Sequence, residues 1–290
     1  MVNPLYPFKS NYFDLGGIRM HYLDEGSGEP AVMLHGNPTW SFYYRNLVTA
    51  LGGSNRCIVP DHIGCGFSDK PADVRYEYSL RRRAEDVEAL LDRLGVRENI
   101  NLIVHDWGGM IGMVYATRHP ERIKRLVILN TAGFRLPAKK KLPWSLWWCR
   151  STPLGPLLVR GLNAFARGAA RYCVTRRRMS EETRAGYLAP YDSWSNRLAV
   201  LRFVQDIPLH PGDRSYDLVA EVENKLDRLK DIPMLICWGA KDFVFDEHFL
   251  VEWTRRFPKA EVHRFQDAGH YVLEDAGEEI VPLVQRFLTV

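Results

Sequence analysis

Cysteine is scarce in this 290-residue chain, and its five copies (Cys57, Cys65, Cys149, Cys173 and Cys237) are odd in number and widely spaced, with no C-x-x-C pair. That spacing excludes a zinc ribbon or a dithiol redox centre and predicts buried, reduced thiols. Long apolar runs are also missing. No stretch approaches the roughly 18 residues needed to span a bilayer, and Met1 to Ser10 lack the apolar segment of a secretory leader. The expected location is therefore the cytoplasm. Repeats and low-complexity tracts are absent, which argues against solenoids and disordered arms. Charge of one sign is not in large excess either: 39 Lys and Arg face 35 Asp and Glu, a net +4. The basic residues do gather at Arg81 to Arg83, Lys139 to Lys141 and Arg176 to Arg178. These clusters read as solvated faces, the alternative being docking to an acidic partner or a membrane surface. No aromatics are interleaved with them to stack bases, so nucleic acid is not an expected partner.

What remains is the composition of a globular domain, 46% hydrophobic and 26% charged, large enough to bury one substantial core. Short apolar, β-branched runs recur at Met20 to Leu23, Ala31 to Leu34, Cys57 to Pro60, Asn101 to His105, Arg125 to Asn130, Met234 to Trp238 and Glu261 to Phe265. Helical patterns fall between them, at Leu80 to Leu94, Gly109 to Arg118, Glu247 to Phe257 and Glu278 to Leu288. This alternation specifies an α/β fold with a mainly parallel central sheet flanked by helices. From about Phe134 to Leu218 the strand rhythm stops, and aromatics are spread through polar helical sequence. The expected organisation is a core of residues 1–133 and 219–290 with a helical cap, 134–218, inserted after the sixth strand. Such a cap lies over the edge of the sheet where ligands bind. Trp144, Phe165, Tyr191 and Phe203 are its candidate pocket residues.

The chemistry is carried by Val104-His105-Asp106-Trp107-Gly108-Gly109, which joins an apolar strand to a helix. A turn that tight needs small neighbours, and Gly108 and Gly109 supply them. Asp106 then occupies the nucleophile position, although as a favoured helix N-cap residue it also has a purely structural reading. A carboxylate attacks carbon directly and forms an ester, with no base needed to remove a proton first. The reaction narrows to attack on an alkyl or strained-ring electrophile. After the Ala31 to Leu34 strand comes His35-Gly36-Asn37-Pro38, where backbone and side-chain donors can face a developing anion. Trp107 adds an indole N–H, which donates and never accepts. Asn37 and Trp107 are therefore the candidate leaving-group or oxyanion donors. Asp242, past the Met234 to Trp238 strand, is the candidate acid that orients His270, which follows the last strand; Asp246 is its competitor. Asn130 marks a strand end where an acid would have been an alternative third member. No metal ligand set or cofactor motif is present, so neither is expected.

The order nucleophile, acid, histidine resembles that of the α/β-hydrolases. More narrowly, His35-Gly36-Asn37-Pro38-Thr39-Trp40, Asp61-His62-Ile63-Gly64, His105-Asp106-Trp107-Gly108-Gly109 and Asp267-Ala268-Gly269-His270 resemble the haloalkane dehalogenase branch across essentially the whole chain. Cap segments, among them Asn163-Ala164-Phe165, Ala189-Pro190-Tyr191-Asp192 and Gln205-Asp206-Ile207-Pro208-Leu209, are most similar to a sister group, the β-lactone decarboxylases of bacterial long-chain olefin biosynthesis. That resemblance implies conversion of a cis-3,4-dialkyl β-lactone, a hydrophobic small molecule, to a cis-alkene and carbon dioxide. It also implies a complex with other olefin-biosynthesis enzymes. A haloalkane dehalogenase is the first alternative, since Trp107 and Asn37 together match a halide-binding pair. An epoxide hydrolase would need two cap tyrosines, such as Tyr187 and Tyr191, aimed at the ring oxygen. A non-catalytic binding protein on the same fold is the alternative from another class.

Overall fold

The computed structural model describes residues 4–289; the first three residues of the N-terminal segment read above, and the last residue of the chain, lie outside them. Eight strands form one sheet: β1 (Asn11–Asp14), β2 (Arg19–Glu25), β3 (Glu29–Leu34), β4 (Asn55–Pro60), β5 (Ile100–Asp106), β6 (Ile123–Thr131), β7 (Met234–Gly239) and β8 (Glu261–Phe265). Their spatial order is β1-β2-β4-β3-β5-β6-β7-β8. Only the pairings of β2 with β1 and with β4 are antiparallel. Every pairing from β4 to β8 is parallel. The expected α/β class holds. The strand missed in the sequence, β1, has four residues and no apolar run, because it is a half-exposed edge strand.

All seven residues of β5 are buried, as a central parallel strand covered on both faces must be. Period-two alternation sorts its neighbours into two layers. Val32, Leu34, Ile58, Leu102 and Val104 face one core with α2 (below) and its neighbours, while Ala31, Met33, Cys57, Val59 and Ile103 face the other. The α-helices among the described residues are α1 (Arg45–Leu51), α2 (Leu80–Arg93), α3 (Trp107–Arg118), α4 (Trp144–Ser151), α5 (Ala164–Tyr172), α6 (Glu181–Leu188), α7 (Leu198–Gln205), α8 (Tyr216–Lys225), α9 (Glu247–Arg256) and α10 (Val272–Thr289). Ser79 caps α2 by accepting from the Arg82 N–H, which satisfies one of the orphan donors of its first turn. The last helix starts six residues before the expected Glu278 because Ala276 kinks it (φ −123°, ψ 20°) and hides the early turns from a single helical period.

Between β6 and β7 the described residues contain helices α4 to α8 and no strand. Part of this segment has its own small core of Cys149, Val159, Ala166, Tyr191, Val200, Leu201 and Val204. Helix α8 does not share it: Leu218, Val219 and Val222 pack into the main core. A boundary at 218 thus falls inside a helix that belongs to the sheet. The five cysteines are buried and unbridged.

Two glycines set the junction of β5 and α3. A Cβ on Gly108 would overlap the Leu34 carbonyl, and one on Gly109 would overlap the Thr131 side chain. Backbone cannot yield as a side-chain tip can. Gly108→Ala is expected to destabilise the fold by about 1–3 kcal/mol in chemical denaturation; an unchanged midpoint would show that the junction relaxes freely.

Candidate active site

Asp106 ends β5 with φ 51° and ψ −126°, a conformation that a non-glycine residue holds only at a strain of about 1–3 kcal/mol. The surroundings impose it. The β5–β6 register shifts between His105 and Asp106, the Thr131 hydroxyl donates to the Asp106 carbonyl, and the glycines at 108 and 109 let α3 start against the sheet. Gly36 leaves the loop after β3 room to press on the Asp106 carboxylate. There the Asn37 N–H donates to Asp106 Oδ1 at 2.6 Å. The carboxylate makes no helix-capping bond, so the N-cap reading of this residue fails.

The other oxygen, Oδ2, lies 3.5 Å from His270 Nε2. His270 Nδ1 is 2.7 Å from Asp242 Oδ2, and Asp242 Oδ1 accepts the Val244 and Phe245 N–H groups at 2.7 and 3.1 Å. Asp106, His270 and Asp242 are all buried. Burial raises the Asp106 pKa above the usual carboxylate range, although His270 and the Asn37 and Trp107 N–H groups pull it back. Burial pushes His270 down, but its charge and hydrogen-bond coupling to Asp242, with help from Asp106, leaves its pKa raised. The imidazole is therefore a base made stronger by its acid partner. Asp246 is elsewhere, capping α9 through the His248 N–H and pairing with Lys140.

Several supports have only weak sequence signals. Asn130, treated above as a missing acid, clamps the acid that is there: its Nδ2 donates to Asp242 Oδ2 at 3.0 Å, and its Oδ1 accepts the Gly239 N–H at 2.7 Å. Its φ of 31° suits asparagine better than most residues. His105 Nε2 meets the His270 carbonyl at 2.9 Å, and its ring stacks on Tyr43 at 4.3 Å between centroids. Burial holds His105 neutral. Burial likewise lowers the pKa values of His35 and His62, and His35 steadies the donor loop through the Gly36 carbonyl.

Asp106, His270, Asn37 and Trp107 open on a cavity of about 810 Å³. Its walls are otherwise mainly apolar and aromatic, including Trp144, Trp148, Phe165, Leu146 and Phe245. Trp144 and Phe165 thus stand where expected. Tyr191 and Phe203 do not line it. The Tyr191 hydroxyl donates to the Thr39 carbonyl in the buried layer behind, and Phe203 is wedged between Trp107 and the Arg83 guanidinium, which sits 3.6 Å over its ring. Tyr187 donates to Glu274. No tyrosine pair serves a ring oxygen from Tyr187 and Tyr191, which removes the geometry of an epoxide hydrolase. Among the described residues the Trp107 indole N–H has no acceptor, whereas Asn37 Nδ2 donates to the Val200 carbonyl at 3.2 Å. No group of three or more His, Cys, Asp or Glu side chains among the described residues is arranged to hold a metal.

Comparison with known proteins agrees with the fold. Residues 30–277 match the alpha/beta hydrolase fold family, and the chain belongs to that family. It is 58% identical to the cis-3-alkyl-4-alkyloxetan-2-one decarboxylase of Shewanella oneidensis, over 100% of this chain and 91% of that protein. It is 48% identical to the protein of the same name from Xanthomonas campestris pv. campestris, over 99% of this chain and 98% of that one. A solved haloalkane dehalogenase from Agrobacterium tumefaciens superposes with a TM-score of 0.86 at 26% identity, covering 97% of this chain and 96% of the other.

Since the pKa of His270 is raised in the folded chain, its contribution to stability is full at low pH and is lost as pH rises through that raised value. Asp242→Asn removes the main raising influence. The His270 titration, followed by imidazole nitrogen shifts, is expected to move to lower pH; an unmoved curve would contradict the coupling.

Proposed function

We propose that this chain is a β-lactone decarboxylase that converts cis-3,4-dialkyl β-lactones to cis-alkenes and carbon dioxide, with Asp106 as nucleophile. The observation that carries this reading is full-length identity of 58% and 48% to two proteins named for that substrate and reaction. The strained, buried carboxylate at a glycine-lined elbow supplies chemistry that fits it.

In this mechanism Asp106 Oδ2, the oxygen not held by the Asn37 N–H, attacks the alkyl-bearing ring carbon bonded to the ring oxygen, not the carbonyl carbon. That C–O bond breaks, an ester to Asp106 forms, and ring strain is released with a free carboxylate. The Trp107 indole N–H serves the anion, with the one Asn37 Nδ2 hydrogen not given to the Val200 carbonyl. The carboxylate then loses carbon dioxide. Its electron pair becomes the second bond of the alkene as the ester C–O bond to Asp106 breaks, which regenerates the aspartate. Backside attack inverts the attacked carbon, and anti elimination restores the relationship, so a cis ring leaves as a cis-alkene. His270, kept basic and oriented by Asp242, places positive charge beside the departing aspartate. No water enters this sequence. Water reaching the ester would turn the product into a β-hydroxy acid, so an apolar cavity favours decarboxylation by exclusion. We take residues 134–218 as the cap that provides the exclusion over a core of 1–133 and 219–290, with α8 allied to the core. A place in long-chain olefin biosynthesis, in the cytoplasm and beside the enzymes that make the lactone, goes with this reading and rests on the sequence resemblance alone.

Incubation with a cis-3,4-dialkyl β-lactone is expected to yield alkene by gas chromatography. Asp106→Ala should abolish it, and His270→Ala should lower it by about 10²–10⁴. A β-hydroxy acid as sole product, or halide release from a 1-haloalkane at a rate matching lactone turnover, would favour the hydrolytic alternative.

A further inference from the structure

The charge of the chain is unevenly placed. Between Phe134 and Ser180 there are eleven Lys and Arg and no Asp or Glu, whereas the remaining residues carry 28 Lys and Arg against 35 Asp and Glu. Five of the eleven are tied down by carboxylates from outside the stretch: Arg135 to Glu223, Lys140 to Asp246, Arg150 to Asp213, Arg176 to Asp267 and Arg177 to Glu278. Lys139, Lys141, Arg167 and Arg171 are exposed and form no ion pair among the described residues.

The same stretch carries three of the four exposed tryptophans among the described residues. Trp144, Trp147 and Trp148, at i, i+3 and i+4 of α4, share one helical face and are 78%, 47% and 41% exposed. Tyr172, at the end of α5, is 66% exposed, with the Arg171 guanidinium 5.3 Å over its ring. Trp144, Trp148 and Tyr172 also line the cavity, so they form its rim. Large apolar side chains therefore reach from solvent into the cavity that holds Asp106.

We infer that this cationic, tryptophan-bearing rim docks on an anionic phospholipid bilayer, with the cavity mouth opening onto the acyl chains. Tryptophan and tyrosine favour the headgroup level of a bilayer, where an apolar ring body and a polar N–H or O–H are both satisfied. Unpaired Lys and Arg beside them are drawn to anionic headgroups. A second copy of the chain is a poor occupant, because two such faces repel. An apolar molecule dissolved in the bilayer reaches the cavity without crossing water. None of this depends on which electrophile Asp106 attacks.

The test is flotation of the full chain with vesicles of phosphatidylglycerol and phosphatidylcholine, against vesicles of phosphatidylcholine alone. Binding is expected only with the anionic lipid, and to weaken with salt. Lys139→Gln, Lys141→Gln and Arg171→Gln together should reduce partitioning roughly a hundredfold, at about five-fold for each charge, with an unchanged thermal midpoint. Lipids brominated on the acyl chains should quench tryptophan emission of the bound protein, less so in Trp147→Ser. The inference fails if anionic vesicles do not retain the chain at low salt, or if the triple variant binds as well as the parent. It also fails if bound protein is not quenched, or if a polyglutamate resin holds the chain at salt concentrations that release it from vesicles, which would indicate an acidic protein surface instead.

Discussion

The site depends on a backbone forced out of its comfortable range at one residue. Asp106 can leave β5 at φ 51° only because the strand, the start of α3 and the loop after β3 meet there with no room for a Cβ at Gly36, Gly108 or Gly109. The strain is local and is balanced by two well-packed layers on either face of the sheet. What it achieves is projection: the carboxylate stands clear of the helix that would otherwise recruit it as a cap, with one oxygen anchored by the Asn37 N–H and the other turned toward His270.

Burial then does opposite things to the two partners. It makes the Asp106 carboxylate more basic and less solvated, and it would discharge His270 were Asp242 not pressed against it. The clamp on Asp242 extends the same logic outward, since Asn130, Val244 and Phe245 donate to it and leave the imidazole as its remaining partner. A mainly apolar cavity surrounds this short polar line. In the proposed mechanism it is what keeps water from the aspartyl ester, and so separates release of an alkene from release of a β-hydroxy acid.

The fold was largely legible in the sequence, because buried parallel strands leave continuous apolar runs, as β3 to β7 do, while β2 and β8 left shorter mixed stretches. The edge strand β1 and the kinked start of α10 were not, since neither carries a clean period. In the site, Asp106, His270, Asp242, Asn37 and Trp107 were legible from turn chemistry and chain order, and the structure brings them together. Tyr191 and Phe203 were placed in the pocket because aromatic residues in a helical cap look alike in sequence; only packing shows which face the cavity and which brace the wall behind it. Asn130 was misjudged for the opposite reason: its value lies in an amide that both donates and accepts, toward a carboxylate 112 positions away.

The most direct measurement is mass spectrometry of His270→Ala after brief exposure to a dialkyl β-lactone, quenched in acid and digested. The mechanism predicts the mass of one intact lactone added to the peptide bearing Asp106 as an ester. An adduct on any other residue, or none while alkene still forms, would contradict a covalent role for this aspartate.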